Sequence, residues 1–189
     1  MNDKALIMAY QAHKNQKRKG TDIPYIVHPI EVAVILISNG ENGDLINAAL
    51  LHDTLEDTEL TYQDILDNFG NKTADLVLSA SEPYKTGKAK LSAEEAVNSW
   101  KMRKNHTLEQ LKTADRDTKL LVCADKLSNI RSINEDFKKI GDKLWDRFNA
   151  PKESQLWYYQ GIIESLEDLK EIKMYEELKD KVKYIIEND

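Results

Sequence analysis

Only seven glycines and four prolines interrupt 189 residues, and between them apolar side chains recur every three to four positions. That period is the signature of helices that bury one face, and no stretch alternates with the period of two that a strand requires. Residues 2–16 place Ala5, Leu6, Met8, Ala9 and Ala12 on one helical face, and Gly20 and Pro24 then break the chain. A second helix is expected to start near Pro29, a residue suited to a first turn, and to stop at Asn39-Gly40. A third runs from about Asp44 through Asp53, and TLEDTEL reads as a loop. Thr61 then caps a short helix that Gly70 closes, and helical periodicity resumes over 71–82. The lysine-rich segment EPYKTGKAKLS has no period and is expected to be an exposed, mobile loop. A charged helix over 92–112 leads into the segment DRDTKLLVCADKLSNIRSINEDF, expected to be the central buried helix. Two more helices, about 151–168 and 173–187, follow. No repeat or linker divides the chain. The expectation is one all-α domain over 1–189, a bundle of about eight to ten helices.

Composition narrows the class. At 41% hydrophobic and 32% charged residues, the chain suits neither a membrane protein nor a disordered one, and its length is enough for a single core. The apolar stretch over 32–37 is far too short to span a bilayer. The segment MNDKALIMAYQAH reads as an amphipathic helix without the features of a signal peptide. The single cysteine, Cys123, excludes an internal disulfide and sits in the apolar run LLVCAD, where it is expected to pack as a small hydrophobe in a reducing cytoplasm. A net charge of -6 gives no drive toward nucleic acid, although local basic patches still suit a small anionic ligand.

Two of the four histidines stand in chemically notable company. His28 lies in YIVHP. His52 is followed by Asp53, with Glu56 and Asp57 just beyond, so one imidazole and three carboxylates fall within six residues. Carboxylates beside an apolar run need a cation or solvent, because desolvating them uncompensated costs several kcal/mol. A solvated helix end would satisfy that segment alone. Asp125, however, lies inside LLVCADKLSNI, on a helix that must pack, and buried aspartates are paired with a lysine, a cap or a metal. A His-His-Asp-Asp site explains all three anomalies together. Its mixed nitrogen and oxygen donors suit Mn²⁺ or Fe²⁺, with other divalent cations possible, and leave room for a water and a phosphate oxygen. The lack of clustered cysteines argues against structural zinc.

The elements AHKNQKRKGTDIPYIVHP, AALLHDTLEDT, ILDNFGNKTADLV and ADKLSNIRSI occur in that order. They resemble the hydrolase domain of RelA/SpoT-type enzymes of the HD class, especially its small stand-alone versions such as the metazoan SpoT homologue. The likeness covers about residues 4–135 and is looser over the C-terminal helices, about 136–189. It implies that His28, His52, Asp53 and Asp125 bind Mn²⁺, and that Glu56 and Asp57 activate and position water. It further implies that Arg18 lies against guanine, with Lys17 and Lys19 nearby, and that Asn129 and, more weakly, Ser132 contact the nucleotide. The implied reaction releases pyrophosphate from the 3′ position of guanosine tetra- or pentaphosphate, and no synthetase domain fits in this length.

One departure stands out. Many relatives carry a basic residue three positions before the helix aspartate, where this chain has Val122. Lys85, Lys88 and Lys90, as a lid, or Arg103 and Lys104 are expected to supply that charge. Two other readings stay open: another nucleotide phosphoester, such as a nicotinamide dinucleotide phosphate, and a catalytically silent nucleotide sensor. Trp100, Trp145, Trp157, Tyr158 and Tyr159 are expected to pack rather than stack on a base. His13 and His106 are expected to be structural or exposed, with His13 close enough to the substrate motif to support it. No oligomeric state follows from the sequence.

Overall fold

At the start of α8 (Arg116–Ile140) the Asp115 side chain accepts the Thr118 backbone N–H at 2.7 Å, satisfying one of the donors every helix leaves unpaired at its N-terminus. The computed structural model describes residues 3–81 and 93–188, and within them α8, at 25 residues, is the axis around which the rest is arranged. Leu120, Leu121, Ala124, Leu127 and Ile130 are almost wholly inaccessible, and each large side chain so buried contributes about 1.5–3 kcal/mol.

Before α8 come α1 (Asp3–His13), α2 (Val27–Ser38), α3 (Asp44–Leu51), α4 (Thr54–Asp57), α5 (Tyr62–Phe69), α6 (Asn71–Ala80) and α7 (Ala93–Thr113). After it come a 3₁₀ segment (Gly141–Arg147), α9 (Lys152–Ser165), a second 3₁₀ turn (Glu167–Leu169) and α10 (Lys173–Glu187). Helices α2, α3, α6 and α10 pack against α8, and α1 lies on α3, where Ala5 and Ala9 allow close approach. Among the described residues there is no strand, only an isolated bridge between Lys17 and Pro24. The all-α reading holds, with ten α-helices among the described residues. None of these helices is long and apolar enough to cross a membrane.

Local differences have local causes. Helix α2 begins at Val27, so Pro29 is its third residue, still within the turn whose N–H groups have no helical acceptor. TLEDTEL is not wholly a loop. Thr54–Asp57 forms one helical turn, held where Thr54 Oγ1 donates to the Leu51 carbonyl at 2.6 Å and Thr58 Oγ1 to the Thr54 carbonyl at 2.7 Å. A single turn is too short to display a period. Thr61 caps α5 as expected, in a reciprocal pair with Asp64, and Gly70 closes it. Helix α9 stops at Ser165, earlier than its apolar pattern implies, because Glu167–Leu169 tightens into the 3₁₀ turn. The loop expected to carry Lys85, Lys88 and Lys90 lies outside the described residues.

Leu108 of α7 packs its side chain onto Gly161 of α9. A Cβ there would stand 2.6 Å from Leu108 Cδ1, so any larger residue would force the Leu108 side chain to shift. The close packing brings Trp100 of α7 edge-on to Tyr158 of α9, ring centroids 6.0 Å apart, and puts Lys104 Nζ 4.6 Å from the Tyr158 centroid.

Candidate metal centre

Helix α2 delivers His28, the end of α3 delivers His52 and Asp53, and α8 delivers Asp125. Both imidazoles are almost fully buried. Ligand atoms of His28, His52 and Asp125 all lie within 4.8 Å of one another. His28 Nε2 is 3.1 Å from Asp125 Oδ1 and 3.6 Å from Asp53 Oδ2, and His52 Nε2 is 3.1 Å from Asp53 Oδ2 and 3.7 Å from Asp125 Oδ1.

Each ring is held from behind. His52 Nδ1 meets the Ala49 carbonyl at 2.8 Å, an acceptor that requires the proton on Nδ1 and turns Nε2 toward the carboxylates. His28 Nδ1 meets Ser128 Oγ at 2.8 Å. His52 Nε2 is buried and makes no aligned hydrogen bond, despite the nearby aspartates. A buried nitrogen aimed among carboxylates without bonding any of them is the donor geometry a cation fits. The donor set, two imidazoles with two carboxylates, suits a divalent ion of intermediate hardness.

The electrostatics agree. Burial works against a charge on Asp125, but Lys126 and the two imidazoles outweigh it and hold the carboxyl well below the usual range. Burial likewise opposes ionisation of Asp53, and His52 outweighs it. His52 itself is pushed down by burial but held well above the usual histidine range by Asp53 and Asp125. For His28 burial prevails, and its pKa falls. The pocket thus favours positive charge on His52 and Lys126 and disfavours it on His28.

Supporting residues surround this core. Tyr25 donates its hydroxyl to Asp53 Oδ2 at 2.5 Å, and burial with that carboxylate raises its pKa far above the ordinary value. The His13 ring lies 4.8 Å from the Tyr25 ring, and its Nδ1 meets Gln16 Oε1 at 2.7 Å. Gln16 Nε2 donates in turn to the Asp57 carbonyl at 2.6 Å, tying the end of α1 to α4. His13 is therefore a support for the site, whereas His106 is exposed.

Two cavities meet at the centre. The smaller, about 120 Å³, is lined by His28, His52, Asp53, Glu56, Val122 and Asp125. The larger, about 600 Å³, is lined by Arg18, Lys19, Ser132 and Arg147 together with Trp100 and Tyr159. Tyr25, His28, Lys104, Lys126, Asn129 and Tyr158 line both. Glu56 faces the small cavity, while Asp57 is exposed at the end of α4 and does not line it. Lys17 is not at the cavity; it pairs with Asp22 at 2.6 Å on the surface. Trp100, Tyr158 and Tyr159 are buried in the core as expected, yet they also form cavity wall. Trp145 is buried and Trp157 half-buried.

Lys126 escaped the sequence reading. Its Nζ lies 2.7 Å from Asp125 Oδ2, and that carboxylate outweighs burial to hold the ammonium well above the usual lysine range. Adjacent residues on a helix do not normally face one another, so spacing offers no signal for this pair. Tyr25 was in plain view in YIVHP but only the fold shows what its hydroxyl reaches.

Fold and site define a helical domain built around a buried histidine–aspartate cluster of the kind that could hold a divalent cation. A family model of the HD domain matches residues 5–151. A guanosine-3′,5′-bis(diphosphate) 3′-pyrophosphohydrolase of Aquifex aeolicus (strain VF5) is 37% identical over 188 residues, 97% of this chain and 25% of that protein. The enzyme of that description named MESH1, from Danio rerio, is 36% identical over 129 residues, 67% of this chain and 65% of its own. The crystal structure of lmo0812 from Listeria monocytogenes EGD-e superposes with a TM-score of 0.72 at 35% identity, covering 87% of this chain and 99% of that one. This chain belongs to the HD domain family. It spans a quarter of the Aquifex relative and just under two thirds of the Danio one.

Proposed function

We propose that the chain, acting as one HD-type domain over 1–189, is a Mn²⁺-dependent hydrolase that releases pyrophosphate from the 3′ position of guanosine tetra- or pentaphosphate. The observation that carries this reading is the junction of the two cavities: a cation-ready pocket of about 120 Å³ shares a wall with one of about 600 Å³, large enough for a nucleotide. The relatives named for this reaction support the choice of substrate.

His28, His52, Asp53 and Asp125 would hold the ion, with Tyr25 orienting Asp53. When bound, the cation lowers the pKa of a water and offsets charge on the attacked phosphorus. Glu56, in the same small cavity, takes a proton from the attacking water. The new phosphorus–oxygen bond forms as the bond to the ribose 3′-oxygen breaks, and that oxygen gains a proton. Asp57, paired with Glu56 in the resemblance, stands exposed at the end of α4 and outside this cavity, so Glu56 alone is assigned the proton transfer. Lys104 and Lys126 bring positive charge to the wall between the cavities, the role that Val122 leaves unfilled. Arg18 lies 5.6 Å over the Tyr25 ring and offers a planar face to a purine, with Lys19, Asn129 and Ser132 around the remaining nucleotide.

Val122 in the smaller cavity favours one rival, a different nucleotide phosphoester on the same centre. The test is release of pyrophosphate from guanosine tetraphosphate by metal-stripped protein, with and without Mn²⁺, beside Asp125→Ala and a nicotinamide dinucleotide phosphate. Mn²⁺-dependent turnover that the substitution abolishes supports the reading. Turnover of the dinucleotide alone moves the substrate and keeps the centre.

A further inference from the structure

The two imidazoles are held from behind by unlike partners. His52 Nδ1 rests on a backbone carbonyl, which is present whatever residue stands at position 49. His28 Nδ1 rests instead on Ser128 Oγ at 2.8 Å, a hydroxyl able to donate or accept. What Ser128 does with its one proton therefore decides which nitrogen of His28 carries a lone pair.

That proton is committed. Ser128 Oγ donates to Glu31 Oε2 at 2.8 Å, and a carboxylate can only accept. Arg131 Nη1 donates to the other oxygen, Glu31 Oε1, at 3.2 Å. Arg131 is anchored in turn by a two-pronged contact with Glu177 of α10, Nε to Oε1 at 2.8 Å and Nη2 to Oε2 at 2.7 Å. With its hydrogen given to Glu31, Ser128 has only lone pairs left for His28, whose Nδ1 must carry the proton. Nε2 is then the free donor, and it faces Asp125 Oδ1 and Asp53 Oδ2. Ser128 is wholly buried, so water cannot replace it.

We infer that Ser128 and Glu31 form a positioning relay that presents His28 to the metal through Nε2, coupling the centre to α10 through Arg131. The inference rests on the metal-centre reading proposed above, and not on the identity of the substrate. Serine and glutamate are positioning residues: neither touches the reacting atoms. Carboxylates and other acceptors behind a metal-bound histidine raise its basicity and fix its tautomer, and their loss typically costs 10–100-fold in metal affinity.

The experiment measures the Mn²⁺ dissociation constant by competition with a fluorescent chelator, with no nucleotide present, for wild type, Ser128→Ala, Ser128→Thr and Glu31→Ala. Long-range ¹H–¹⁵N spectra of the Zn²⁺-loaded proteins read the protonated nitrogen of His28. Ser128→Ala is expected to weaken Mn²⁺ binding by about 10–100-fold and to move the Nδ1–H signal, and Ser128→Thr, which keeps the hydroxyl, to stay within about threefold of wild type. Glu31→Ala, at a partly exposed position, is expected to weaken binding less than Ser128→Ala and to keep the question answerable if Ser128→Ala fails to fold. Wild-type affinity in both alanine variants, or equal loss in Ser128→Thr and Ser128→Ala, overturns the relay. A wild-type protein that binds no divalent cation overturns the metal-centre reading instead, and the relay with it.

Discussion

Arg18, in the nucleotide-sized cavity, and Asp125, in the candidate metal centre, are joined through a single amide. Asn129 Oδ1 accepts from Arg18 Nη2 at 2.8 Å, while Asn129 Nδ2 donates to Asp125 Oδ1 at 2.6 Å. Asn129→Ala removes both bonds and leaves Asp125 Oδ1 short of a donor. The expected result is a fall in kcat/KM of about 10–100-fold, shared between a higher KM and weaker metal binding. Asn129→Asp should be worse, because it sets a third carboxylate against Asp125. Steady-state kinetics with a parallel Mn²⁺ titration check this, and a change under twofold would count against the bridge.

Metal binding should stabilise the fold. A cation at a hundredfold excess over its Kd adds about 2.7 kcal/mol, since it binds the assembled site and not the unfolded chain. For a chain of this length that corresponds to a rise in Tm of about 5–10 °C. Calorimetry of metal-stripped and Mn²⁺-loaded protein measures it, and Asp125→Ala should show almost no rise.

Lys104 and Lys126 stand on the wall shared by the cavities, and Lys104 Nζ lies 4.6 Å from the Tyr158 centroid. Lys104→Met should raise KM by about tenfold, equivalent to about 1.4 kcal/mol of lost phosphate attraction, while leaving Mn²⁺ affinity within twofold. Its KM should also depend less steeply on salt than that of wild type.

Gly20 holds the loop that carries Arg18 and Lys19. Its φ is +73°, and an added Cβ would meet Arg147 Cδ at 2.7 Å. Arg147 cannot swing away freely, because its Nη1 bonds Asp136 Oδ2 at 2.7 Å. Gly20→Ala should cost about 1–2 kcal/mol in stability and raise KM several-fold without changing metal affinity. Urea unfolding and kinetics together test the pair of effects.

Cys123 is inaccessible, and burial pushes its thiol up to about 12. At pH 8 the folded protein should resist iodoacetamide at least a hundredfold longer than the protein in urea, since the thiolate is the reactive form. A neutral buried thiol contributes its stability fully below the unfolded pKa of about 8.5, and loses it as pH rises through the folded value. Stability should therefore fall more steeply between pH 8 and 10 in wild type than in Cys123→Ala, as read from urea midpoints.

The helices were legible because burying one face imposes a period, and caps such as Thr61 and Asp115 stand beside that period in the chain. Gaps in the reading fall where the period is too short to count: the single turn of α4, the 3₁₀ segments, and the first turn of α2. His28, His52, Asp53 and Asp125 were visible as polar residues in apolar company, an anomaly that needs a partner. Val122 exposed the charge that was missing, but nothing in the spacing pointed to Lys126, whose side chain doubles back onto its own neighbour Asp125.

By itself, then, the sequence determined the helical class, the apolar face of the first helix and four polar residues in apolar company that the fold brings together, because these follow from local periods and from polar groups that burial penalises. Tertiary structure alone decided what stands behind those residues: Tyr25 on Asp53, Ser128 and Glu31 on His28, and Asn129 between Arg18 and Asp125. Most of these contacts join residues 28 to 111 positions apart, and hydrogen bonds depend on ångström-scale placement that only the packing of α2, α3 and α8 supplies.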